Sequence, residues 1–288
     1  MQFPIPSNQS SPTIIPRSLQ ICSAESPVPR IENRFPQDRH RFLLLPLHFF
    51  TCVISHKRRD CFVYRRLDGD LSQLVNAFNY PDSTPLPIDE ALVCFFTIYD
   101  VVQSMHNPPR GQDTRYVHRD LKSANVLYLT DRDNPSYRDY FLADIGHAQE
   151  VDISGTRDTL SVATALYRSP ELVESWKNEG GPREVILNRP RSPYDAVSLD
   201  LWSLGVILYE ISTGKYPFFP CSNLTNDYIA FEDLVLNSEP DYSIVPADVR
   251  DIIQVLLIKN PVHRKDAFKQ LKQTRRFQQL YSDYRPEV

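Results

Sequence analysis

The sequence predicts an α+β protein with its sheet near the start of the chain and a mostly helical remainder. Strand-like runs rich in aromatic and β-branched residues cluster early, and long apolar runs at helical spacing follow them. The composition, 41% hydrophobic and 24% charged over 288 residues, is that of an ordinary globular chain with enough length for a sizeable core. A net charge of −4 argues against bulk attraction to nucleic acid or to an anionic membrane, so neither is expected as a partner.

Residues 1–40 hold seven prolines among many Ser, Asn and Gln, and are expected to be irregular. Residues 43–55 and 60–66 read as strands, with the charged run HKRRD as their link. A helix is predicted from Leu71 to Phe78, ended by Asn79-Tyr-Pro. Asp89 is expected to cap the run DEALVCFFTIYDVVQSMH, which is apolar on more than one face and so reads as a buried helix. A second buried helix is predicted over Leu199–Ser212, stopped by Thr213-Gly214, and two or three short helices follow Pro246. The apolar stretch Phe42–Ile54 is too short to span a bilayer, and the N-terminus lacks the basic start and apolar core of a secretory signal. Five cysteines without a C-x-x-C pair form neither a disulfide framework nor a zinc site, which suits a reducing compartment. An intracellular protein, cytoplasmic or nuclear, is expected.

Residues 117–127 read V-H-R-D-L-K-S-A-N-V-L. His118-Arg119-Asp120-Leu121 with Asn125 fits the pattern H-R-D-L-x-x-x-N. After Asn125 come strand-like Val126–Leu129, a polar link with Asn134-Pro135, and strand-like Tyr140–Ala143. A hairpin of this kind returns Asp144 to the end where Asn125 sits, so two oxygen ligands converge. That suits Mg2+, which takes few protein oxygens and completes its shell with phosphate and water. Asp120 and Lys122 lie on the adjoining loop, beside the end where these two ligands meet.

On these residues the chain resembles the eukaryotic protein kinase superfamily over about residues 40–280. The resemblance implies a protein-kinase-like fold, ATP and Mg2+ as cofactors, and a protein substrate, with a regulatory protein partner as a further expectation. It implies catalytic roles for Asp120, Lys122 and Asn125, and metal binding by Asn125 and Asp144. The triplet Asp144-Ile145-Gly146 departs from the family, which usually has Phe in the middle. Val162–Glu171 is similar to the family's V-A-T-x-x-Y-R-A-P-E segment, with Ser169 in place of Ala. Thr164 with Lys122 resembles serine/threonine rather than tyrosine kinases, and Tyr167-Arg168 is nearest in flavour to the cyclin-dependent and MAP kinase branch. Asp200-Leu-Trp-Ser-Leu-Gly205 and Arg264 match late motifs that brace the fold, with Glu171 and Arg264 expected as a buried ion pair. Arg119 precedes Asp120, an arrangement that in the family pairs with a phosphorylated activation loop, so the resemblance implies Thr159 and Ser161 as candidate phosphosites. CFVYRRLDGDL looks like a hinge: Tyr64 falls at the gatekeeper position, Arg65 and Leu67 would present backbone to the adenine, and Leu127 would floor the pocket. The implied organisation is an N-terminal segment 1–40, a kinase-like domain 41–280 (partial small lobe and hinge 41–68, large lobe 69–280), and a tail 281–288. Three polar or Pro/Gly-rich insertions, Asn107–Arg115, Asp131–Asp139 and about Ser175–Ala196, read as surface loops.

Two of the family's phosphate-binding parts are missing. The first glycine is Gly69 and the first lysine is Lys57, so nothing upstream supplies a glycine-rich loop or a β3 lysine. Glu25 and Glu32 stand near the expected αC position, but Pro27, Pro29 and Pro36 oppose a helix there. Three readings stay open: an ATP-dependent serine/threonine kinase, a catalytically impaired pseudokinase acting as a binding module, and a truncated reading of a longer active kinase.

Overall fold

A computed structural model describes residues 20–22, 41–54, 57–77, 82–107, 115–151, 156–157, 164–178, 194–218 and 228–286. The strands are β1 (Gln20–Cys22), β2 (His48–Ile54), β3 (Lys57–Val63), β4 (Gly69–Asp70), β5 (Arg115–Val117), β6 (Val126–Thr130), β7 (Arg138–Leu142), β8 (Gln149–Val151), β9 (Thr156–Arg157) and β10 (Tyr194–Asp195). The helices are α1 (Leu71–Val75), α2 (Ile88–His106), α3 (Pro170–Asn178), α4 (Ala196–Thr213), α5 (Tyr228–Asn237), α6 (Ala247–Leu256), α7 (Pro261–Leu271) and α8 (Arg275–Tyr284). Short sheets with a larger helical part make this the α+β class that the pattern predicts. The chain divides into two compact units, residues 1–35 with 45–65, and residues 36–44 with 66–288.

The first unit carries an antiparallel sheet in the order β1-β2-β3. Its aromatic and β-branched residues pair across the ladder: the Phe49 and Phe62 rings lie 5.0 Å apart, and Thr51 Oγ1 donates to Asp60 Oδ1 at 3.1 Å. Three expectations change here. Lys57, Arg58 and Arg59 belong to β3 rather than to a link, because they pair with Ile54, Val53 and Cys52. Gln20–Cys22, inside the segment expected to be irregular, is a strand against Val53–Thr51. The predicted first strand also divides at Pro46, which has no N–H to give to a ladder. Before it, Phe42 O and Leu44 N bond to Leu142 in the second unit; after it, β2 pairs with β3.

In the second unit, α4 is the central helix, and every residue from Ala196 to Ser212 is buried. Its length and mean hydropathy would suit a membrane span, but α2, α6 and α7 pack on it instead. α6 comes close at Gly205, where an added Cβ would lie 2.7 Å from Leu256 Cβ. Asp195 caps the start by accepting from Ser198 N, and Gly214 ends the helix at φ 70° with its N–H on Glu210 O. Phe96 and Tyr99 of α2 meet Phe277 and Tyr281 of α8 edge to face at 5.5–6.1 Å, seating the last helix on the core.

Two helix ends differ from expectation. The N-cap of α2 is Pro87, whose carbonyl accepts from Ala91 N, so Asp89 lies within the first turn and favours the helix dipole from there. α1 stops at Val75 because Asn76 adopts a left-handed conformation and returns its N–H to Ser72 O. Residues 78–81 lie outside the described part. β6 and β7 form the expected hairpin, with Val126 opposite Leu142 and β4 on the outer edge of β6. The loop 131–137 between them is exposed, and residues 108–114 and 179–193 of the other two insertions lie outside the described part.

Candidate active site

A buried carboxylate sets the frame. Asp200, on α4, accepts from His118 N (2.8 Å, Oδ2) and Arg119 N (2.9 Å, Oδ1), and His106 Nε2 lies 2.8 Å from Oδ2. Burial pushes its pKa up, but the bonds and charge from His106 and His118 outweigh burial and hold it below the usual range. The loop held this way contains a strained residue: Arg119 sits at φ 67°, a region costly for a side chain of its size. Its side chain is tethered as well, Nε to His147 O at 2.8 Å and Nη1 to Gln149 Oε1 at 2.5 Å. His118 donates from Nε2 to Ala143 O at 3.1 Å, and burial holds its pKa below that of a free imidazole.

The next residues converge on Asp120, which is only 3% exposed. Its Oδ1 accepts from Thr164 N (3.1 Å) and Thr164 Oγ1 (2.8 Å). Its Oδ2 accepts from Lys122 Nζ at 2.7 Å, with Asn125 Nδ2 farther off at 3.4 Å. Lys122 Nζ also donates to Thr164 Oγ1 at 3.1 Å, and Asn125 Nδ2 to Asp120 O at 2.8 Å. Four residues named from sequence, across 44 positions of chain, thus form one hydrogen-bonded cluster.

The hairpin brings Asp144 back as its spacing suggests: Ala143 N donates to Asn125 O at 2.8 Å. Asp144 adopts φ 60° and is exposed, its Oδ1 making only a long 3.4 Å contact with Gly146 N. Asn125 gives its amide nitrogen to Asp120, and among the described residues no donor to its Oδ1 occurs. An amide oxygen and an exposed carboxylate on adjacent chain ends are hard donors of the kind Mg2+ takes, so the pair fits that ion. No cluster of three or more His, Cys, Asp or Glu suited to a metal occurs among the described residues.

A second network escaped the sequence reading. Glu210 is wholly buried on α4; Ser123 Oγ donates to its Oε1 at 2.8 Å and Tyr167 OH to its Oε2 at 2.6 Å. Tyr216 bonds to it too, so Glu210 ties the Asp120 loop to the Thr164 segment. The signal was present: Asp200 and Glu210 are the two charged residues of a helix otherwise made of apolar, Ser, Thr and Tyr residues. Burial drives the Glu210 pKa up to about 7, with Asp70 adding to the shift against the bonds from Tyr167, Ser123 and Tyr216. A carboxyl raised in the folded state holds its proton longer there than in the unfolded chain. Stability from this group is therefore greatest below the unfolded value, is lost as pH rises through the folded value near 7, and levels off above it. From pH 4.5 to 8 the native chain should lose roughly 3 kcal/mol relative to Glu210→Gln, measured by urea unfolding at each pH. Parallel profiles for the two proteins would refute this.

The remaining residues fall in separate places. Arg65 is exposed at the end of the first unit. Leu67 and Leu127 are half-buried in the second, Leu127 paired with Asp70 and Phe141. Glu171 and Arg264 meet in a two-pronged pair at 2.9 and 3.0 Å. Arg168 approaches Glu232 at 3.6 Å. Thr159 and Ser161, like Glu25 and Glu32, lie outside the described residues.

A family profile described as Protein kinase domain matches residues 51–275. Serine/threonine-protein kinase ATG1b of Arabidopsis thaliana is 31% identical over 53% of this chain and 19% of its own length. A Saccharomyces cerevisiae protein whose name carries the words serine/threonine-protein kinase is 36% identical over 51% of this chain and 14% of its own. The human serine/threonine-protein kinase MRCK gamma is 31% identical over 66% of this chain and 11% of its own. The chain thus spans under a fifth of the length of these relatives. Their names do not carry the cyclin-dependent and MAP kinase flavour expected from Tyr167-Arg168.

Proposed function

This chain belongs to the protein kinase family, and we propose that it transfers the ATP γ-phosphate to serine or threonine hydroxyls of a protein substrate. The observation that carries the proposal is the convergence of Lys122 and Thr164 on the buried Asp120 carboxylate. Asp120 Oδ1 is filled by the two Thr164 donors, whereas Oδ2 has one short bond and one long one. An ionised carboxylate offers about four lone-pair sites, of which three carry short bonds, so the substrate hydroxyl can displace the long Asn125 contact on Oδ2 and give up its proton there as the phosphoryl group transfers. Lys122 has three N–H donors, of which two are engaged by Asp120 and Thr164; the third is left for a phosphate oxygen. Asn125 and Asp144 would hold Mg2+, which neutralises charge on the phosphates when bound. Thr164 also fixes the segment leading to Tyr167, and so the surface along which a substrate peptide would lie.

Five cysteines without a paired motif support an intracellular setting, cytoplasmic or nuclear, with a protein substrate and a regulatory protein as partners. A second reading is binding without transfer. A thermal-shift titration with Mg2+-ATP distinguishes the two, read beside Asp144→Asn. Stabilisation at a hundredfold excess over Kd is expected at about 2.7 kcal/mol and should vanish in the variant. A well-folded chain that shows no shift would overturn the transfer reading, and a shift without phosphate incorporation would establish the second.

A further inference from the structure

The β2–β3 ladder sets Cys52 opposite Arg59 and Cys61 opposite Phe50, so the two thiols share one face of the hairpin, one step apart on the diagonal. Their sulfurs lie 3.1 Å apart, closer than unbonded sulfurs ordinarily sit, and both cysteines are free thiols. A disulfide needs about 2.05 Å, so closure asks for roughly 1 Å of approach, within reach of side-chain rotation on a ladder that already holds the register. We infer that Cys52 and Cys61 are a modification site, oxidised by a hydroperoxide to an intramolecular disulfide and restored by a thiol reductant.

The two sulfurs have different parts. Cys61 is half-buried on a strand whose Lys57, Arg58, Arg59 and Asp60 are all exposed, so a dissolved oxidant can reach it from solvent. Cys52 is fully buried, and the hydrogen bond with Cys61 together with burial pushes its thiol above the ordinary value. The order of events follows. The Cys61 sulfur attacks the peroxide, the O–O bond breaks, and Cys61 sulfenic acid and water form. The Cys52 sulfur then attacks the Cys61 sulfur, the S–O bond breaks, and hydroxide leaves with the Cys52 proton as a second water. Two thiols and one hydrogen peroxide give one disulfide and two waters. Cys94 is an internal control: it is buried in α2, and burial pushes its thiol well above the usual range.

The test uses the reduced full chain, treated with hydrogen peroxide in native buffer, then unfolded, labelled with N-ethylmaleimide and digested for mass spectrometry. The expected result is that two of the five thiols escape labelling, with a loss of ~2 Da and a linked peptide containing Cys52 and Cys61. Dithiothreitol should return both to the labelled pool, and Cys61→Ser should leave Cys52 labelled after the same treatment. In urea the link should become a minor product, because the fold rather than the sequence brings the sulfurs together. Three results would overturn the inference: five labelled thiols after native oxidation, sulfinic acid at Cys61 with Cys52 still labelled, or an equal yield of the link in urea.

Discussion

Arg264→Ala is expected to lower the free energy of unfolding by about 3–5 kcal/mol, the usual cost of leaving half of a buried ion pair uncompensated. The size follows from how many groups this one side chain satisfies. The guanidinium is fully buried, bonds both Glu171 oxygens at 2.9 and 3.0 Å, and donates to the carbonyls of Ser198, Lys259 and Ile258. It also lies 4.9 Å from the Trp202 ring centroid, so alanine would remove a packing surface as well as a charge. Arg264→Lys should fall between the two, because an ammonium keeps the charge but cannot make both Glu171 bonds in parallel. Urea unfolding of the three proteins checks this. A loss below about 1 kcal/mol for alanine would mean that the pair closes nothing the fold depends on.

Asp120→Asn is expected to cut phosphate transfer by about 10²–10⁴-fold, the range for removing a positioned general base. Asparagine keeps the shape and one acceptor oxygen, so Thr164 can remain bonded while proton acceptance is lost. The measurement is single-turnover phosphate incorporation, compared with wild type under saturating substrate, alongside an unfolding curve to show that the fold persists. Equal rates would remove Asp120 from the role given to it here. A fall in rate with an equal fall in stability would instead assign the residue to holding the Thr164 segment.

Much of the site could be read along the chain because its residues lie at short, fixed offsets. Asp120, Lys122 and Asn125 share one loop, and the β6–β7 hairpin that returns Asp144 shows as two strand-like runs around a polar link. α4 was likewise visible, since a run with no polar face has nowhere to go but the core. Boundaries were less legible. Asn76 ends α1 through its own left-handed conformation and Pro87 starts α2 with its carbonyl, and neither choice follows from hydrophobic period alone. The charged run Lys57–Arg59 looked like a link because solvent-facing strand residues and loop residues have the same composition; only pairing separates them.

The sequence by itself determined the family, the residues of the Asp120 cluster and the burial of α4, because these rest on local spacing. Only the tertiary structure decided which distant groups meet: Asp200 beneath the strained Arg119 backbone, Glu210 between Ser123 and Tyr167, Glu171 on Arg264, and Cys52 against Cys61. The reason is physical. A buried carboxylate or thiol needs a partner to offset the loss of water, but that partner can come from any element packed beside it. Spacing along the chain fixes direction within a helix, strand or turn; the packing of those elements fixes which side chains share an interior.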